Sequence, residues 1–242
     1  MSAEVIEGGA ADVLLLCDHA SNAVPEDIDL GVDPALLDLH IAIDIGAAAV
    51  TRALAARIDA PAILATVSRL VIDLHRETDH IGLIPHRSDG HMIPGNARVD
   101  RAARIARFHA PYHRTIRERI RAQRPKLILS IHSFTPCLEH GGSPRPWEVG
   151  VLYNRDTRAA LPTVEFFRVQ GFVTGDNEPY SGRLLNATLN RHAEGQGIPS
   201  VAIEIRNDLL RDPAGVERWS QALAALANSL RNSLAPTEPV AT

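Results

Sequence analysis

Three short apolar runs, Val13 to His19 (VLLLCDH), Lys126 to Phe134 (KLILSIHSF) and Val201 to Arg206 (VAIEIR), each carry an ionisable residue inside or at the end. This pattern constrains the fold more than any other feature of the chain. Each run is too short for a helix, and Pro125 breaks the helical pattern before the second, so all three read as strands. An ionisable side chain in such a setting must be paired, hydrogen-bonded, bound to metal or open to a cleft. Three such strands, separated by helical patterns, point to one shared site at the edge of a parallel sheet. A chain of 242 residues suits one large α/β domain better than two complete ones. That domain is expected over residues 12–234, between a loose N-terminal end at 1–11 and a frayed tail at 235–242.

The intervening segments supply the other layers. Asp33-Pro34 is a capped helix start, and Leu37, Ile41, Ile45, Ala48 and Leu54 give residues 35–58 a helical apolar face. Asp44 lies beside that stripe, four residues after His40, where it can face solvent, bond to His40 or point inward. Residues 61–67 read as a strand and 71–74 as a short extended segment; 80–95, rich in His, Gly and Pro, read as a loop walling a pocket. Helical patterns follow over 100–123, 157–168, 184–193 and 214–234, with further extended segments at 148–153 and 171–174. The arginines of 101–121 have the spacing of a solvated helix face, and a net charge of -4 argues against a nucleic-acid surface. No apolar run reaches membrane-spanning length and no basic leader precedes one, so the expected location is cytoplasmic, with no membrane partner. Cys17 and Cys137 do not make a disulfide framework.

The residue types point to hydrolytic metal chemistry. Catalytic zinc commonly takes three protein ligands and keeps one position open, and His19 and His132, each closing an apolar strand, are the best nitrogen donors. Each could instead simply bond a neighbouring carboxylate. Glu204 alternates with Ile203 and Ile205 and so faces away from them, where it can take a proton from water and return it to a leaving nitrogen; its bland alternative is a salt bridge to Arg206. Asp44 is the candidate acidic ligand, with Asp18 and Asn22 as rivals by proximity to His19. Arg69, Arg76 and Arg206 can clamp a substrate carboxylate in a planar, bidentate way, and one of them can polarise the scissile carbonyl. Asp73 can orient an arginine or a metal-binding histidine, and Tyr180 can cap the substrate. There is neither an HExxH motif nor a GxSxG elbow.

Taken together and in this order, CDHASN at 17–22, SRLVIDLHRE at 68–77, SIHSF at 130–134, NEPYSG at 177–182 and IEIRND at 203–208 resemble the N-formylglutamate amidohydrolase family across most of residues 12–234. The resemblance implies a three-layer α/β/α fold with a mostly parallel or mixed central sheet, related to zinc carboxypeptidases and to cell-wall N-acetylmuramoyl-L-alanine amidases. It implies one Zn2+ held by His19, His132 and Asp44 on the first helix, whereas a carboxypeptidase-like arrangement directs attention to Asn22. Glu204 becomes the general acid/base; Arg69 and Arg76 contact the substrate carboxylate or carbonyl, with Asn177 and Tyr180 on the opposing loop. The implied reaction is hydrolysis of N-formyl-L-glutamate, or of another small carboxylated N-acyl amino acid, to the short acid and the free amino acid, a deformylation placed in histidine catabolism. A muramoyl-alanine amidase and a noncatalytic metal- or anion-binding protein are the alternatives.

Overall fold

The computed structural model describes residues 2–234. Along the chain these give β1 (Ala3–Ile6), β2 (Val13–Cys17), α1 (Ala47–Ile58), β3 (Ala62–Ala65), β4 (Arg87–Ser88), β5 (His91–Met92), α2 (Arg101–Arg104) and α3 (Ala110–Gln123). There follow β6 (Leu127–Phe134), β7 (Val149–Leu152), α4 (Ala160–Val169), β8 (Thr174–Asp176), α5 (Ala187–His192), β9 (Ser200–Arg206) and α6 (Pro213–Ser233). Seven strands make one mixed sheet in the order β1-β3-β2-β6-β9-β7-β8, and β4 and β5 form a separate hairpin. The three polar-ended runs are therefore its parallel centre, with β2 paired to β6 and β6 to β9.

Strand alternation sorts the core into two layers of packing. Val13, Leu15, Cys17, Leu129, Ile131, Val201 and Ile203 face one way and meet α1, α4 and α6, where Trp219, Leu223, Leu226 and Leu230 recur along one side of the last helix. Leu14, Leu16, Ile128 and Ala202 face the other way, against Tyr112, Ile116 and Ile120 of α3 and the segment Leu70 to Leu74. Each fully buried leucine in these layers stabilises the fold by about 1.5–3 kcal/mol. This is the three-layer α/β/α architecture expected from the sequence.

Three expectations are corrected. Residues 3–6 are not a loose end: β1 pairs antiparallel with β3, a gain from backbone hydrogen bonds that a four-residue run with exposed Val5 barely advertises. The pattern over 35–58 is not one helix but a 3-10 turn, Pro34–Asp38, capped by Asp33 Oδ1, then a loop, then α1. The break is at Gly46, which has φ 81°, and a Cβ there would stand 2.4 Å from Cβ of Leu210. Residues 71–74 are not a strand: the carbonyls of Leu70, Val71 and Leu74 are used by the side chains of Asn96, Arg104 and His113 instead of a neighbouring strand. The stretch 101–123 is helical as expected, with α2 and α3 joined through a π-helical turn at Ile105–His109. The expected tail at 235–242 lies outside the described residues.

Candidate active site

On the α3 side of the sheet the inward side chains change from apolar to ionisable toward the carboxyl ends of the central strands. Leu14 and Leu16 lead to Asp18, Ile128 and Ser130 to His132, and Ala202 to Glu204. Register completes the alignment, with Leu16 opposite Ser130 and His132 opposite Glu204. Gly150 of β7 stands on the other side of Glu204, and a Cβ on it would lie 2.2 Å from the carbonyl oxygen of Glu178. Only a glycine lets the 176–182 loop approach so closely.

Asp44 enters from the loop before α1, not from the helix. Its N–H donates to the His19 carbonyl (3.1 Å), and Ser133 Oγ donates to the Ile45 carbonyl (2.8 Å), so the loop is fastened to the ends of β2 and β6. Asp44 Oδ2 lies 3.2 Å from His19 Nδ1 and 2.8 Å from His132 Nδ1. One ligand atom from each of these three buried residues lies within 4.8 Å of the others. The outward nitrogens are also held: His19 Nε2 is 2.8 Å from Asp73 Oδ1, and His132 Nε2 is 2.9 Å from Ser130 Oγ and 3.4 Å from Asp18 Oδ2. An imidazole whose far nitrogen meets a carboxylate is oriented to offer the near one to a metal.

Charge argues in the same direction. Burial pushes Asp18, Asp44 and Asp73 toward the neutral acid, but the histidines outweigh it at Asp18 and Asp44, and Arg69 with Arg76 at Asp73, holding all three below the usual carboxylate range. Burial likewise opposes charge on His19 and His132, and the same carboxylates raise both rings above their ordinary values. A dication at the three converging atoms would offset the charge of this buried acidic cluster. The donor set of two imidazoles and a carboxylate suits zinc.

Glu204 is the exception among these acids. It is 8% exposed, its Oε2 has no hydrogen-bond partner among the described residues, and burial pushes its pKa up to about 7. It opens with His19, Asp44 and His132 into a cavity of about 250 Å³. Arg69 and Arg76 line the cavity too. Arg69 donates to Asp44 Oδ1 (3.2 Å) and Asp73 Oδ2 (2.8 Å), whereas Arg76, among the described residues, donates to the His75 carbonyl (3.2 Å) and stays 3.8 Å from Asp73. Tyr180 closes one side, its hydroxyl accepting from Arg145 Nη1 at 2.9 Å and its ring 4.9 Å beneath that guanidinium.

Three expected residues stand elsewhere. Asn177 has φ 52°, and its Oδ1 accepts from the N–H groups of Tyr153 and Gly182, so it shapes the loop, and it does not line the cavity. Asn22 Nδ2 donates to Asp38 near the surface, and Asn22 does not line the cavity. Arg206 turns at the end of β9 to Asp208 and the carbonyls of Pro146 and Trp147 and does not line the cavity. Asp18 is present but saturated, accepting from Tyr112, Thr188 and Ser130. Sequence reasoning passed over His75, which lines the cavity with Nδ1 3.0 Å from both Thr188 Oγ1 and Asp18 Oδ2. Its signal was its place in SRLVIDLHRE. Asp18, His75 and His132 also cluster closely enough for a metal, but Asp18's existing donors make that group a support for His132. His40 and Asp89, also unforeseen, face each other across the mouth at 3.1 Å.

A sequence profile described as N-formylglutamate amidohydrolase matches residues 11–211 of the chain. Among solved structures, gene product Atu2144 from Agrobacterium tumefaciens is similar at 32% identity and TM-score 0.88, over 96% of both chains. An N-formylglutamate amidohydrolase from Ralstonia eutropha JMP134 is similar at 22% identity and TM-score 0.72, over 96% of this chain and 97% of that one. A bacteriophage poly-gamma-glutamate hydrolase shares the fold at 9% identity and TM-score 0.51, over 96% of this chain and 90% of that one. No curated protein matches the sequence. Among the described residues, no helix is long and apolar enough to cross a membrane.

Proposed function

The chain belongs to the N-formylglutamate amidohydrolase family and is a metal-dependent amidohydrolase, and on that premise we propose that it uses one zinc ion, held by His19, Asp44 and His132, to hydrolyse N-formyl-L-glutamate or a closely similar carboxylated N-acyl amino acid. The observation that carries this reading is Glu204: a buried carboxylate with an unpartnered oxygen, beside the three converging donors and open to the cavity. When bound, zinc supplies positive charge that acidifies water and polarises a carbonyl.

The remaining work falls to the protein's own groups. Glu204 Oε2 takes a proton from the attacking water as the water oxygen bonds to the acyl carbon. It then delivers that proton to the amide nitrogen as the carbon–nitrogen bond breaks, leaving a carboxylic acid and a free amine. A pKa near 7 suits both transfers. Arg69, fixed by Asp44 and Asp73, donates to the oxygen that gains charge at the acyl carbon. Arg76, less committed to protein partners, takes the substrate carboxylate, and Tyr180 covers it. A cavity of about 250 Å³ favours a small substrate over a polymer. A cytoplasmic enzyme of histidine catabolism would need this chemistry, and that placement belongs to the same proposal.

The test is zinc content and formate release from N-formyl-L-glutamate for the wild type, Glu204→Gln and His19→Ala. Glu204→Gln is expected to keep its zinc and lose turnover by about 100-fold or more, and His19→Ala to lose the ion. Full turnover by Glu204→Gln, or full zinc occupancy in His19→Ala, refutes the assignment. A muramoyl dipeptide assayed in parallel should remain uncleaved.

A further inference from the structure

The mouth of the cavity is bordered by two loops that come from distant parts of the chain: the β4–β5 hairpin, which contributes Ser88 and Asp89, and residues 135–146, which contribute Thr135 and Leu138. Both loops carry side chains that the hydrolytic chemistry does not use. The Asp89 carboxylate accepts from the N–H groups of Glu139 (2.8 Å) and His140 (3.1 Å), so the hairpin turn already grips the opposite loop. At that turn Asp89 has φ 40° and Gly90 φ 87°. A Cβ on Gly90 would stand 2.3 Å from His140 Nδ1, so the turn leaves room for the imidazole that a side chain would fill.

His140 Nδ1 lies 2.7 Å from the Asp89 carbonyl. A carbonyl only accepts, so Nδ1 carries the proton, and the neutral ring then has its lone pair on Nε2. Fixing one imidazole nitrogen on a backbone carbonyl is the arrangement that prepares the other as a metal ligand. The neighbours complete a donor set. His91 Nε2 is 2.9 Å from Glu139 Oε2, and the His91 and His140 rings meet edge to face with centroids 5.4 Å apart. One ligand atom from each of His91, Glu139 and His140 lies within 4.8 Å of the others. Two imidazoles and a carboxylate, with His91 24% and Glu139 43% exposed at the side chain, leave solvent room for a fourth ligand.

We infer that His91, Glu139 and His140 form a second zinc site, sharing no ligand with the His19, Asp44 and His132 site, which cross-links the two loops at the cavity mouth. Zinc bound there ties β5 to residues 139–140 and restrains the opening through which substrate and product pass. This ion performs no chemistry.

The full-length protein, loaded with one equivalent of zinc, is titrated with further zinc and followed by calorimetry and by amide hydrogen exchange. The wild type should take up a second equivalent, with exchange slowed in residues 88–92 and 137–142. His91→Ala/His140→Ala should lose that equivalent and that protection, while keeping the first equivalent and turnover in unsupplemented buffer. His19→Ala should keep the mouth equivalent, which separates a failure here from a failure of the proposed hydrolytic site. A wild type saturated at one equivalent, or a double variant that still binds two, overturns the inference.

Discussion

His113 and His192, on the α3 and α5 sides of one buried contact, give a pH dependence that can be worked out. Their rings stack with centroids 5.0 Å apart; His113 Nε2 is 3.0 Å from the Leu74 carbonyl and His113 Nδ1 is 2.8 Å from His192 Nε2. The carbonyl fixes the His113 proton on Nε2, so Nδ1 accepts from His192 and a further proton on His113 would break the pair. Burial, with His109 and His192 nearby, pushes His113 down to about 2, and burial pushes His192 down to about 4. The unfolded chain takes up these protons near pH 6.5 and the folded one does not, so stability falls as pH drops below 6.5. For His113 alone the loss is roughly 2 kcal/mol at pH 5, from about 1.4 kcal/mol per pH unit. In His113→Gln the amide can still donate and accept but does not titrate. Urea unfolding of the metal-free proteins, followed by circular dichroism from pH 7.5 to 5, should show the wild type losing about 2 kcal/mol more than the variant. Parallel curves would refute the reasoning, because titrations common to both proteins cancel in the difference.

Two further outcomes concern the proposed site. Asp73→Asn removes the carboxylate that faces His19 Nε2 and Arg69, and should weaken zinc binding about 10–100-fold in competition with a chromophoric chelator; an unchanged affinity would leave Asp73 without an orienting role. Arg76→Ala should raise KM for N-formyl-L-glutamate far more than it lowers kcat, and the opposite split would move Arg76 from substrate binding to the chemical step.

The parts legible in the sequence were those written in strand alternation. His132 and Glu204 stand near the polar ends of β6 and β9, where a period of two sets the face each takes, and His19 lies two residues past the end of β2. Asp44 was identified by residue type but set on a helix, because Leu37, Ile41 and Ile45 mimic a helical stripe where the chain makes a 3-10 turn and a loop. Asn177 and Arg206 have the right chemistry in the right motifs, yet one satisfies backbone donors and the other a neighbouring acid, and such local pairings are not visible in spacing. His75 and Arg145 escaped because their value lies in partners 113 and 35 residues away, Thr188 and Tyr180.

The contact between Gly46 and Leu210 reaches further than its place behind the cavity suggests. Gly46 is two residues after Asp44, and Leu210 closes the 3-10 turn that follows β9, the strand bearing Glu204. The loop bearing Asp44 and the turn after the strand bearing Glu204 thus pack so closely at this point that no side chain fits between them. The calibration of this enzyme is mechanical as well as chemical: a methyl group added at position 46 would press on Leu210 and shift Asp44 relative to Glu204 without changing the identity of any polar residue of the site.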